Sequence, residues 1–205
     1  MALVRIVKLA CAGAVIAGLP LLAGGAAAEG WKLSGEESKI AFGSIKNNEI
    51  GEVHHFGGLS GTVDEKGVAN IEIDVLSVET HIDIRNERMG THALSAESHP
   101  KAKLSATVDM AALESLAPGE TMTLETDATL SLGAAEAEVT APLFIARLDE
   151  DRVMVSTDEM IMLHTWEIGI DDGITALREI AGLDSIARAA PVIIRLVFTR
   201  EGKGA

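Results

Sequence analysis

The sequence predicts a mainly β protein whose strands form an antiparallel sandwich or barrel. Three observations carry this reading. Apolar and polar residues alternate with a period of two through most of the chain, so each strand has one wet and one dry face. Clusters of turn-forming residues separate about eight such runs. No helical stretch of crossover length lies between most of them, which excludes a doubly wound parallel sheet.

The first candidate strands, residues 39–45 and 52–63, are broken by glycines. Ile71, Ile73 and Val75 then share one face, with Glu72 and Asp74 on the other. Leu104, Ala106, Val108 and Met110 repeat the pattern, followed by Met122, Leu124, Ala128, Leu130 and Leu132. The next run is Ala137, Val139, Ala141, Leu143 and Ile145; Val153 and Val155 begin another. Val192, Ile194, Leu196 and Phe198 form the last. Turn signals fall between the runs at Asn47-Asn48, Asp64-Glu65-Lys66-Gly67, Pro118-Gly119, Gly133 and Asp149-Glu150-Asp151. Short helices are expected over residues 86–94, with Asn86 as N-cap, and over 111–116. A third is expected over 174–181, where Asp172 can cap and Gly182 can end the helix.

Residues 1–28 stand apart from this pattern. They carry Arg5 and Lys8, no acid, an apolar run and the small-residue exit Ala26-Ala27-Ala28. This reads as a secretory signal peptide cut before Glu29, with export to a periplasm, rather than a retained membrane anchor. Cys11 follows Lys8-Leu9-Ala10, a charged stretch where a lipoprotein leader needs apolar residues. The remainder, 29–205, reads as one domain without cysteine.

The net charge of −14 argues against a nucleic-acid surface, and one cysteine excludes a disulfide scaffold or a Cys-rich metal site. Aromatic residues make up only 3 % of the chain, so the dry faces are Val, Ile, Leu, Met and Ala. A barrel of about eight strands is wide enough either to be filled by side chains or to hold one small ligand. Composition alone leaves both open. His54 and His55 are adjacent, so a strand points them to opposite faces. His81, His92, His99 and His164 show no metal-ligand spacing. No nucleophile elbow, P-loop or dinucleotide fingerprint occurs. Arg85 and Arg88 suit recognition of a phosphate or carbonyl, or local pairing with Glu or Asp.

A set of motifs runs in order along the chain. It opens with Trp31-Lys32-Leu33 and Ser38-Lys39-Ile40-Ala41-Phe42. His55-Phe56-Gly57-Gly58-Leu59-Ser60-Gly61, Ser77-Val78-Glu79-Thr80 and Ile84-Arg85-Asn86-Glu87-Arg88-Met89 follow. His99-Pro100-Lys101-Ala102-Lys103-Leu104, Leu130-Ser131-Leu132-Gly133, Trp166-Glu167-Ile168-Gly169-Ile170 and Pro191-Val192 complete it. Taken in this order, the motifs resemble those of the YceI-like family of periplasmic polyisoprenoid-binding proteins. Leu104 stands where the family usually has Phe, and Asn86 where it commonly has Asp.

The resemblance implies a lipocalin-like antiparallel barrel that binds and transports or sequesters an isoprenoid lipid, either a polyisoprenoid quinone or an isoprenoid phosphate, without catalysis. On that reading the lumen lining is Phe42, Phe56, Ile71, Ile73, Val75, Leu104, Val108, Met122, Leu124, Leu130, Leu143, Ile145, Val155 and Met162. Arg85 and His164 are the expected headgroup contacts at the mouth. No metal or resident cofactor is expected; the partner is a small hydrophobic ligand, with transient membrane contact and a homodimer as further expectations. Two alternatives stand beside this one. The first is an enzyme acting on a hydrophobic substrate with His55 or His164 as base. The second is a ligand-free interaction module supporting a membrane redox or stress-response complex.

Overall fold

The computed structural model describes residues 30–201; the expected leader, residues 1–28, lies outside them. The strand segments are β1 (Trp31–Leu33), β2 (Lys39–Lys46), β3 (Ile50–Phe56), β4 (Leu59–Val63), β5 (Val68–Asp74) and β6 (Val78–Glu79). They continue as β7 (Lys101–Thr107), β8 (Thr121–Leu132), β9 (Ala135–Arg147), β10 (Arg152–Thr157), β11 (Ile161–His164) and β12 (Ala189–Arg200). All pairings between them are antiparallel.

The twelve segments make a closed barrel of eight strands, four of which are interrupted. β1 and β2 together pair with β4 and β3, and these pair in turn with β5 and β6. β7, β8, β9 and β10 follow as a simple meander. β12 closes the ring, pairing with β10 and β11 on one side and with β1 and β2 on the other. The alternation read from the sequence is the alternation of the wall. In β5, Ala69, Ile71 and Ile73 are buried, whereas Val68, Asn70 and Asp74 are exposed.

Three of the interruptions adjoin one another. A 3-10 turn at Gly35–Glu37 separates β1 from β2, Gly57-Gly58 separates β3 from β4, and a second 3-10 turn at Val75–Ser77 separates β5 from β6. The Asp74 carboxylate caps that second turn, accepting from Leu76 N–H at 2.9 Å. A Cβ on Gly35 would lie 2.5 Å from the Leu59 carbonyl oxygen, and one on Gly58 would lie 2.7 Å from Ser77 Cβ. Only glycine lets the chains come this close at the bend. Above this line β2, β3 and β6 form the upper wall; below it β1, β4 and β5 form the lower one.

Helix α1 (Asp83–Arg88) runs directly into a π-helical turn, Met89–Ala93. It starts three residues earlier than its sequence signal. Asn86 is therefore not the N-cap but an interior residue. Its side-chain Oδ1 accepts from Thr80 N–H at 2.8 Å and from Thr80 Oγ1 at 2.6 Å, which satisfies the buried polar groups where the chain leaves β6. Helix α2 (Met110–Ser115) is capped by Asp109, whose carboxylate accepts from Ala112 N–H at 3.0 Å. Helix α3 (Asp171–Ile180) begins at Asp171, so Asp172 sits in its first turn instead of capping it; the chain turns away at Gly182 as expected.

One end of the barrel is sealed. Trp31 is 1 % exposed, and the guanidinium carbons of Arg147 and Arg200 lie 5.2 and 4.4 Å from its ring centroid. Arg147 is itself buried and donates from Nε to the Asp149 carbonyl at 2.9 Å, while Arg200 pairs with Glu114 of α2 at 2.9 Å. Both cations thus keep polar partners while packing on the indole. Leu113 and Phe198, both buried, complete the seal. Trp31→Ala is expected to destabilise the protein by about 3–5 kcal/mol, since it removes a buried aromatic. Urea unfolding followed by circular dichroism measures this; a loss under about 1 kcal/mol would show that the seal does not hold the barrel together.

Candidate functional site

The inward faces of the strands enclose two chambers that share part of their lining. The upper chamber, of about 450 Å³, lies among β2, β3, α1, α3 and the first half of β12. The lower chamber, of about 410 Å³, extends down the barrel to Trp31. Ala69, Ala106, Ala128 and Ala141 stand among the larger aliphatic residues of the lower wall, and it is these short side chains that leave the space. Helix α3 roofs the upper chamber with Ile174 and Leu177. It is held in place by Arg188, which donates from Nη2 to Thr175 Oγ1 at 2.7 Å and pairs with Asp171 at 3.6 Å.

The polar side chains of the upper chamber are arranged in order. On β2 the inward residues run Ile40, Phe42, Ser44, Lys46; on β3 they run Phe56, His54, Glu52. Going up the wall, aliphatic and aromatic groups give way to a hydroxyl and an imidazole, and then to charges. Phe42 stacks with Phe56 at 5.4 Å between centroids and meets the His54 ring at 5.3 Å. Ser44 Oγ lies 2.9 Å from His54 Nε2. Glu52 is shared by Lys46 at 3.1 Å and Arg85 at 2.8 Å, and Arg85 also donates to the Thr80 carbonyl. Arg88 lines the same chamber, half-buried, with no salt bridge among the described residues.

Burial pushes the Glu52 carboxyl upward, but its bonds to Arg85 and Lys46 outweigh this and hold it below the usual carboxylate range. His54 is 2 % exposed. Burial first, and then the Arg85 charge, push its pKa below the ordinary 6.5, against a smaller opposing pull from Glu52. The imidazole is therefore neutral at neutral pH. Its Nδ1 and the Nε of Arg85 are buried polar atoms without a hydrogen-bond partner among the described residues. Such atoms are costly unless something pairs with them. A guest with a hydrogen-bonding head and an oily tail matches this wall on both counts. Among the described residues no group of three His, Cys, Asp or Glu side chains is placed to hold a metal ion.

The residues expected to line the lumen divide as follows. Phe42, Phe56, Val75 and Arg85 face the upper chamber; Ile71, Leu104, Val108, Leu124, Leu143, Ile145 and Val155 face the lower; Ile73 and Leu130 face both. Met122 packs against the core but lines neither chamber. Met162 and His164 lie elsewhere. Met162 is 55 % exposed, because the inward residues of β11 are Ile161 and Leu163. His164 is exposed beside Trp166, with its backbone N–H donating to Glu167 at 2.7 Å. Of the paired histidines it is His54, not His55, that reaches the interior. The signal was present: His54 is two residues from Phe56 and so shares its face. Ser44 and Lys46 follow from Phe42 in the same way.

A family model described as a YceI-like domain matches residues 31–198. A solved polyisoprenoid-binding domain from Saccharophagus degradans, implicated in plant cell wall breakdown, is 32 % identical; the match covers 83 % of this chain and 98 % of that one, with a TM-score of 0.81. BcnA of Burkholderia cenocepacia is 16 % identical over 80 % of this chain and 98 % of its own, with a TM-score of 0.61. A YceI protein of Campylobacter jejuni is 10 % identical over 73 % and 85 %, with a TM-score of 0.51, a likeness of fold. The curated proteins contain no match.

The lowered pKa of His54 has a consequence for stability. Above the ordinary 6.5 both folded and unfolded chains hold the imidazole neutral. Below it the unfolded chain takes up the proton first, so stability present above that pH is lost as the pH falls toward the folded value. His55 is shifted in the same direction, again by burial first, but it is less buried than His54. The urea midpoint is expected to fall between about pH 7.5 and about pH 5.5, and to fall less in His54→Phe. Equal slopes in the two proteins would remove His54 from this account.

Proposed function

Because the chain belongs to the YceI-like family, we propose that it is a periplasmic carrier that binds a long apolar isoprenoid lipid in its lumen and transports or sequesters it. The single observation that carries this is the graded wall: contiguous aliphatic chambers inside a barrel, ending at one level in Ser44, His54, Glu52, Lys46, Arg85 and Arg88. The similar Saccharophagus domain, which binds polyisoprenoids, supports the choice of tail. Each methylene taken from water into such a lumen contributes about 0.8 kcal/mol, so a long chain is held mainly by its length. Arg88, which makes no salt bridge among the described residues, and the atoms of His54 and Arg85 left without a hydrogen-bond partner among them receive the head, a quinone carbonyl or a phosphate.

Ligands of this kind reside in bilayers, and the rim of the upper chamber is suited to brief contact with one. Ile82 and Ile84 line the chamber at the start of α1 yet are 48 % and 49 % exposed, and Ile180 at the end of α3 is 42 % exposed. The leader reading supports the periplasm as the place of action.

Native mass spectrometry of the protein purified without detergent, followed by solvent extraction, tests the proposal. The expected result is an added mass that yields an isoprenoid on extraction. A protein that carries no amphiphile and binds neither added quinone nor added prenyl phosphate would end it. Arg88→Gln is expected to weaken prenyl phosphate about tenfold or more, the worth of one charge-assisted hydrogen bond, as read by tryptophan fluorescence or calorimetry.

A further inference from the structure

The lumen is not a uniform tube. Ile40, Ile73, Leu130, Leu163 and Val192 belong to the lining of both chambers. They come from β2, β5, β8, β11 and β12, so they stand around the lumen and not along it. Ile40 and Ile73 are 7 % and 5 % exposed and are fixed in the core. Leu130, Leu163 and Val192 are only half-buried and lean on open space. The cations and the imidazole that could receive a head, Lys46, Arg85, Arg88 and His54, all lie above this ring. Below the ring the walls are mostly aliphatic as far as Trp31, and the polar residues there are Thr107, Thr126 and the carboxylates Asp109 and Glu125, without a cation to hold an anionic head.

We propose that this ring of five aliphatic side chains is a waist that gauges the length of the bound hydrocarbon. The proposal rests on the carrier reading above. A chain anchored by its head in the upper chamber meets the waist before it can reach the lower one. A short prenyl chain ends at or above the ring and leaves the lower chamber empty. A longer chain threads the ring, and each methylene it then seats below tightens binding about fourfold. Affinity therefore rises in two stages with chain length, and the second stage belongs to the lower chamber alone. Selection for long chains is set by whether the waist admits the tail, separately from recognition of the head.

The test is a series of prenyl alcohols from geraniol through farnesol and geranylgeraniol to longer homologues, titrated by calorimetry into the wild type and into waist variants. Leu130→Trp and Val192→Phe add volume at half-buried positions facing the lumen, where the added atoms have space to enter. Both are expected to keep the wild-type urea midpoint, which shows that they fold, and to lose the second stage of the length series, so that the affinity ratio of the longest to the shortest alcohol falls about tenfold or more below that of the wild type. Leu130→Ala, which widens the ring, is expected to keep that second stage. Variants that follow the wild-type length series throughout would overturn the waist while leaving the carrier reading intact. So would variants that weaken short and long alcohols equally although their unfolding midpoints match the wild type. A wild type that binds no prenyl chain of any length would overturn the carrier reading, and the waist with it.

Discussion

β12 carries the constraint on which the rest of the molecule depends. It is long enough to pair with β10 and β11 along one edge and with β1 and β2 along the other, and so it joins the last strand of the meander to the first. Closure removes the free edges that an open sheet would have to protect, and it obliges every second side chain to face inward. The number of strands then sets the width of the interior. What occupies that width is a matter of side-chain volume. In this chain large aromatic groups face inward mainly at the ends: Trp31 and Phe198 at the sealed end, Phe42 and Phe56 toward the open one. Between them stand Ala, Val, Leu and Ile, which cover the wall without meeting in the middle.

The bend shared by three neighbouring strands gives the two ends different characters. Below it the wall ends at the Trp31 seal. Above it β2 and β3 share a chamber with α1 and α3, and the polar residues of the upper wall line that chamber. Placing Lys46, Arg85, Glu52 and His54 beside an apolar lumen is expensive in itself. The cost is limited because one carboxylate serves two cations and because the imidazole gives up its charge. What remains is a small surplus of hydrogen-bonding capacity, at His54 Nδ1 and Arg85 Nε, that no described residue takes up.

The barrel was legible in the sequence wherever alternation was clean. β5, β8 and the first half of β9 alternate cleanly, and most of the residues on their dry faces line the chambers, Met122 being an exception. β11 carries no such alternation. Residues 160–163 are Met, Ile, Met and Leu, four apolar side chains in succession, so no period marks which face is dry. The expectation of Met162 as lining falls on the outer face, and Ile161 and Leu163 face inward. His164 was misplaced by the same slip. Arg85 was identified as a contact at the mouth, but its partner Glu52 is distant in the chain and was not, because cross-strand register cannot be read from a single strand. Asn86 looked like a helix start because its side chain favours caps; here it serves a neighbouring buried threonine instead.

The placement of the tryptophans also makes the protein its own optical instrument. There are two in the chain and no tyrosine, so ultraviolet emission comes from indole alone. Trp166 is 66 % exposed beside His164 and reports mainly on water. Trp31 forms the floor of the lower chamber, stacked on two arginines. A guest that stops short leaves the colour of that buried indole as it was. One that travels the full depth of the barrel arrives against it and changes the light it gives off, so the spectrum records how far the visitor has gone.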